Sequence, residues 1–302
     1  QDPMDADLVG ISFSTAPGQA WYVPVGHVEG NQLPLSHVLA RIGPLLEDET
    51  IAKIAHNANY DMTVLAKYGT YVRNLRFDTM LAAHLCGRKA FGLKTLALDY
   101  LSEEMMPISE LIGSGRKKVT MDKVSIELAA DYASADADFT GRLLPILEKE
   151  LTDKGIRDLF NKVEMPLVPI LVRMQNNGVA LDTALLNKMS TDLQQRLSLI
   201  ESEMYELVGH AFNINSSQQL SDVLFKELRL PPTRRTQKGY STDASALESL
   251  KTLLYKGKAT DVDPKSYDVL NRILDYRQLS KIKSTYVDAL PSLVNKKTGR
   301  IH

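Results

Sequence analysis

The sequence predicts an α/β domain followed by an all-helical one. Three observations carry this expectation. Short strand-like runs interleave with helically spaced apolar residues as far as Asp78; after Gly155 the pattern becomes almost wholly helical; and two long apolar seams in the second half match one another. The expected domains are residues 1–155 and 156–302.

In chain order, Leu8 to Phe13 alternates apolar and small residues, Ala16-Pro17-Gly18 supplies a turn, and Ala20 to Val25 is a second strand-like run. These two runs read as a hairpin. Leu35, Val38, Leu39, Ile42, Leu45 and Leu46 keep helical spacing. Ile51 to Ala55 is a buried-strand candidate that leads into Asn57 and Asp61, at the start of a helix reaching Leu65. Phe77-Asp78 ends another strand-like piece, and helices are predicted over Thr79 to Leu85 and Leu93 to Leu101. Ile112 to Lys118 reads as a basic, solvated loop. An alanine-rich helix then covers Glu127 to Leu147.

Beyond Gly155, Val163 to Asn176 is apolar on most turns and stops at Asn177-Gly178. From Asp182, a candidate N-cap, apolar residues recur at Leu185, Met189, Leu193, Leu197, Ile200, Met204 and Leu207, until Gly209. A second seam runs through Leu270, Ile273, Leu274, Ile282 and Tyr286, so the two helices are expected to pair antiparallel. Ser216 with Gln219 forms a candidate capping box before Leu220, Val223, Leu224 and Leu228, and Pro231-Pro232 ends that helix. Thr233 to Thr242 then gathers three cations, several hydroxyls and one aromatic. That mixture suits phosphate and sugar contacts, while on the residues alone an ordinary polar loop is the simpler reading.

Composition narrows the class. With 44% hydrophobic and 24% charged residues the chain is that of a soluble globular protein, and no run of about 18 apolar residues exists to span a bilayer. The first residues, Gln1 to Asp7, carry neither a basic region nor an apolar stretch, so no signal peptide is expected there. The single cysteine, Cys86, excludes an intramolecular disulfide and suits a reducing cytoplasm. The net charge of −1 conceals an asymmetry: residues 1–155 hold 15 Lys+Arg against 21 Asp+Glu, residues 156–302 hold 21 against 16. The second half is the expected partner of a polyanion.

The chemistry concentrates in two short stretches. Tyr132 and Asp136 stand four apart in a helix, so a phenol and a carboxylate project from one face about one turn apart. A second carboxylate lies in Asn57-Ala58-Asn59-Tyr60-Asp61. Together they suggest a metal-dependent nuclease site. Structural alternatives stay open at this point: Asp61 as a helix cap, Tyr132 as half-buried core, Asp136 as one exposed acid beside Asp131 and Asp138. His56 reads as a structural neighbour; Asp78 and Asp138 are candidates to support the site from behind and are not counted among its members.

At these residues the chain resembles the family A DNA polymerases, of the bacterial DNA polymerase I type. Asn57-x-x-Tyr60-Asp61 and Tyr132-x-x-x-Asp136 look like the second and third motifs of the family's 3′–5′ proofreading exonuclease. Glu164-Met165-Pro166-Leu167-Val168-Pro169, Asn177-Gly178-Val179, Phe212-Asn213, Gly239-Tyr240-Ser241-Thr242 and Lys281-Ile282-Lys283-Ser284-Thr285-Tyr286 resemble its thumb, in the same order. The resemblance implies a ribonuclease H-like mixed-sheet exonuclease domain followed by an all-α thumb with a long antiparallel helix pair. It implies two divalent metals, Mg²⁺ or Mn²⁺, roughly 4 Å apart, with Asp61 and Asp136 as ligands, Tyr132 orienting the attacking water, and Asn57 holding Asp61 or the substrate. Arg234, Arg235, Lys238, Arg277 and Lys281 are implied to contact the backbone of a primer–template duplex, and a single-stranded 3′ end is the exonuclease substrate. A monomer in the bacterial cytoplasm, near the nucleoid and away from membranes, is the corresponding expectation.

One departure is large: the family's first exonuclease motif, Asp-x-Glu, is not found, and Asp2, Asp5 and Asp7 do not replace it. Palm and fingers are likewise not found. The 302 residues alone are therefore expected not to polymerise and to carry an incomplete exonuclease site. Two other readings compete: a free-standing 3′–5′ exonuclease with a helical nucleic-acid-binding domain, and a DNA-binding module without catalysis.

Overall fold

A computed structural model describes residues 2–236, 239–257 and 262–302. The chain divides into two compact units, one running to Gly178 and including His302, the other spanning Val179–Ile301.

In the first unit, β1 (Gly10–Ala16) and β2 (Gln19–Pro24) form the expected antiparallel hairpin, with Ser12 opposite Tyr22. Helix α1 (Leu35–Glu47) precedes β3 (Lys53–Ala55), which leads into α2 (Ala58–Ala66). Strand β4 (Leu75–Asp78) pairs parallel with β3 and passes directly into α3 (Thr79–Leu85), followed by α4 (Leu93–Leu101). The described strands thus form separate two-stranded pairs, where one mixed sheet was expected. Helix packing joins them, since the 28-residue helix α6 (Ile126–Asp153) lies against β1, β2 and β3. The expected loop at 112–118 contains the end of a short helix, α5 (Ile108–Ile112), and a 3₁₀ turn at Gly115–Lys117.

Helix α7 (Arg157–Leu159) runs through a π-helical turn at Phe160–Glu164 into α8 (Met165–Asn177). The packing of this segment keeps residues 157–177 in the first compact unit, which runs to Gly178. Phe160 and Met165 are buried with Phe77, Leu96, Leu143 and Leu147, and Val168 and Val172 pack on Ala58 and Met62 of α2. The rings of Phe77 and Phe160 stand 4.7 Å apart. A compositional change marks where helix becomes dominant; burial decides which core the helix joins.

The second unit begins with β5 (Val179–Ala180), paired antiparallel with β8 (Arg300–Ile301). Helix α9 (Thr183–Val208) starts at Asp182, whose side chain accepts from the Leu185 N–H, and stops at Gly209, whose φ of 95° a glycine tolerates at a helix end. After α10 (Ser217–Asp222) and a π turn at Val223–Glu227 comes a minimal hairpin, β6 (Arg235–Thr236) and β7 (Gly239–Tyr240). Helices α11 (Ala244–Tyr255), α12 (Ser266–Ile282), which runs into a π turn at Lys283–Val287, and α13 (Ala289–Ser292) complete the unit. The described helices α9 and α12 do run antiparallel: Glu203 pairs with Arg272 at 2.9 Å, and Ser190 bonds Asp288 at 2.7 Å beyond the end of α12.

The seam between them differs from the sequence expectation in extent. Leu197, Ile200 and Met204 are buried against Leu270 and Ile273, whereas Leu185, Met189 and Tyr286 are exposed. The capping box is also only half formed. Ser216 accepts from the Gln219 N–H, but the Gln219 side chain reaches the N–H of Asn213.

Candidate active site

The site is assembled where β3 and β4 end side by side. Asn57, between β3 and α2, takes the left-handed conformation (φ 64°) that asparagine tolerates better than most residues, and so turns the chain into α2. One turn into α2 stands Asp61.

The anchor of this arrangement is Asp78, a residue left out of the expected site. It is 1% exposed at the end of β4. One carboxylate oxygen accepts the N–H groups of Met80 (2.9 Å), Leu81 (3.2 Å) and Asn57 (3.2 Å), and the other accepts that of Ala58 at 2.7 Å. A single buried carboxylate thus satisfies orphan donors at the starts of both α2 and α3. The local signal for it was only a helix cap before Thr79. Its second pair of donors lies some twenty residues upstream, where no sequence spacing points.

Helix α6 supplies Tyr132 and Asp136 from one face, both half-buried. Burial pushes the Asp136 carboxyl up to about 6, against the pull of Lys94 and of a hydrogen bond from the Tyr132 phenol. Burial, then the charge and hydrogen bond of Asp136, push that phenol up to about 12. Asp61 is exposed as a residue, yet desolvation of its carboxyl by the surrounding protein, followed by the charges of Asp78 and Asp136, raises that carboxyl to about 7. The structure therefore brings Asp61, Tyr132 and Asp136 into one electrostatic neighbourhood. Asn57 stands at the start of the same helix as Asp61, and lines a small cavity with Asn59, Asp78 and Leu81.

Two other polar residues nearby are structural. His56 bonds Thr79 through Nδ1 at 2.8 Å. Asp138 accepts the N–H of Gly18 at 2.6 Å and pairs with Arg142 at 3.4 Å, tying the β1–β2 turn to α6.

Two carboxylates raised mainly by desolvation, Asp61 further by the charges of Asp78 and Asp136, are a donor set suited to a hard divalent cation. The set is partial: among the described residues no group of three or more His, Cys, Asp or Glu side chains is placed to hold a metal ion.

In the second unit the five implied DNA contacts fare differently. Arg235 and Lys281 are exposed. Arg234 is exposed and ion-paired with Asp243. Arg277 is half-buried and donates from Nη1 to the carbonyl of Thr242, so part of its guanidinium is already used inside the unit. Lys238 lies outside the described residues.

Two family models match the chain. A 3′–5′ exonuclease family model matches residues 1–152, and a DNA polymerase family A model matches residues 183–302. DNA polymerase I of Chloroflexus aurantiacus is 41% identical over 99% of this chain and 31% of its own length; those of Rhizobium leguminosarum and Pseudomonas aeruginosa are 36% and 35% identical over 100% of this chain and 31% and 33% of theirs. The chain thus spans under half the length of these relatives. Among solved structures, the POL domain of Pol1 from M. smegmatis, in complex with DNA primer-template and dNTP, superposes with a TM-score of 0.78 at 28% identity, covering 99% of this chain and 46% of that one.

Proposed function

This chain belongs to DNA polymerase family A and includes that family's 3′–5′ exonuclease region, and from that premise we propose that its first part is a proofreading exonuclease and its second part a thumb that holds primer–template DNA. The observation that carries the exonuclease reading is the shared neighbourhood of Asp61 and Asp136 on two different helices, each carboxyl raised by burial and Asp61 further by Asp136. The antiparallel hairpin, the parallel β3–β4 pair and the long helix across them support a ribonuclease H-like arrangement.

Asp61 and Asp136 are the residues that would hold Mg²⁺ or Mn²⁺, which when bound would activate water and neutralise charge developing on the phosphoryl oxygens. Tyr132, whose phenol is protonated at neutral pH, orients a water molecule or the Asp136 carboxylate by hydrogen bonding. The turn at Asn57, clamped by Asp78, fixes where Asp61 emerges from α2. Solvent remains able to reach Asp61, as hydrolysis requires.

For the second part, the excess of cations after Gly155, the exposed Arg235 and Lys281, and the primer–template bound to the M. smegmatis relative support contact with the phosphate backbone. Such contacts do not read sequence. DNA as partner, together with the bacterial relatives, supports a cytoplasmic setting at the nucleoid.

The test of the exonuclease reading is release of 3′-terminal nucleotides from a single-stranded oligonucleotide with Mg²⁺, measured on the product of the complete gene. Asp136→Ala is expected to slow release at least ~100-fold. A variant as fast as the parent would refute the assignment.

A further inference from the structure

Helix α4 lies against α6 and brings Lys94 to the edge of the acidic pair. The Lys94 ammonium stands 5.9 Å from the centroid of the Tyr132 ring, within the range at which a cation is attracted to an aromatic face. Its charge reaches Asp136. Yet among the described residues Lys94 makes neither a hydrogen bond nor an ion pair, although several other lysines of the same unit do, such as Lys67, Lys149 and Lys154. The side chain is half-buried, so its position is constrained while its three donors remain unspent.

A cation held in this way has a plain electrostatic use. A phosphodiester approaching Asp61, Asp136 and the nearby Asp78 meets carboxylates of its own sign wherever a bound cation does not neutralise them. An ammonium one helix away, oriented by an aromatic ring and free to donate, offsets that repulsion and offers hydrogen bonds to a non-bridging oxygen. Lysine suits this task because it binds phosphate as a point charge, without the fixed fork of arginine.

We infer that Lys94 is a substrate-binding residue of the exonuclease site, contacting a backbone phosphate near the 3′ end of the bound single strand. This rests on the exonuclease reading above and adds a contact that none of its motifs contains. Lys94 binds substrate and takes no part in bond breaking, so its loss weakens KM and leaves kcat.

The experiment measures initial rates of 3′-nucleotide release from a single-stranded oligonucleotide over a range of salt concentrations, using the product of the complete gene, Lys94→Gln and Lys94→Arg. For Lys94→Gln, KM is expected to rise about tenfold with kcat unchanged, and the slope of log(kcat/KM) against log salt to become shallower by about 0.7, the loss of one single-strand phosphate contact. Lys94→Arg restores most of the KM and the full slope. A fall in kcat at unchanged KM would mean that Lys94 merely holds Tyr132 or Asp136, and it overturns the inference. So does a Lys94→Gln variant indistinguishable from an active parent. A parent that releases no 3′ nucleotides overturns the exonuclease reading itself and this inference with it.

Discussion

The carboxylate of Asp78 accepts the backbone N–H of Ala58 at 2.7 Å, across twenty residues of sequence, at the start of the helix that carries Asp61. Because the same side chain also caps α3, one buried acid, 1% exposed, fixes the starts of both helices and with them the position of Asp61. Asp78→Ala leaves up to four N–H groups without that acceptor in a nearly solvent-free place. It is expected to cost about 3 kcal/mol in urea unfolding, and to lower exonuclease activity in the fraction that folds. A cost under about 1 kcal/mol would show that other groups satisfy these donors.

Crowding at the site has a sign that stability can read. The Asp61 carboxyl sits near 7 in the folded protein and near 4 when unfolded. The folded state therefore holds more protons between these values, and stability falls as pH rises through that window. With EDTA at pH 8, Asp61→Asn is expected to melt above the parent, and the difference is expected to vanish below about pH 4. Thermal scans across pH check this; a variant less stable than the parent at pH 8 contradicts it.

Added Mg²⁺ should invert that ranking. A cation bound by Asp61 and Asp136 stabilises the folded parent by mass action and relieves their repulsion. The parent is expected to gain more in melting temperature from Mg²⁺ than Asp61→Asn does. Equal gains would place the ion elsewhere.

Arg277 and Lys281 stand one turn apart on α12 and separate two roles. Arg277 is half-buried with one nitrogen on the Thr242 carbonyl, so Arg277→Ala is expected to lose about 1–2 kcal/mol of stability. Lys281 is exposed, and Lys281→Ala is expected to leave stability within about 0.5 kcal/mol while making the salt dependence of primer–template binding shallower by about 0.9. Denaturant curves and binding titrations at several salt concentrations distinguish them. A destabilised Lys281→Ala with an unchanged salt slope would reverse the assignment.

Much of the fold was readable wherever one segment carried its own instructions. Asp182 and Gly209 bound α9 as expected because a cap and a left-handed stop act within one turn. The helices Thr79–Leu85 and Leu93–Leu101 also match their expected bounds, although α3 ends in right-handed backbone at Cys86 and α4 begins without a side-chain cap. What the sequence hid was long-range. Leu185 and Met189 keep the apolar spacing of α9 but lie exposed, while Met204, further along the same seam, is fully buried. Spacing specifies a face and not what covers it. The pair Tyr132 and Asp136 could be placed on one helix face by spacing, but their approach to Asp61 needed β3, β4 and the Asp78 clamp. Lys94 had no signal at all, being one of many lysines until α4 is packed against α6.

The central claim is that Asp61 and Asp136 act as one unit, and single-turnover release of the 3′-terminal nucleotide in Mg²⁺ tests it most directly. The account predicts that Asp61→Ala, Asp136→Ala and the double variant are each slowed by at least ~100-fold, with the double no slower than the worse single, because groups sharing one task lose it together. Rate losses that simply multiply in the double variant, or a single variant that matches the parent, would contradict it.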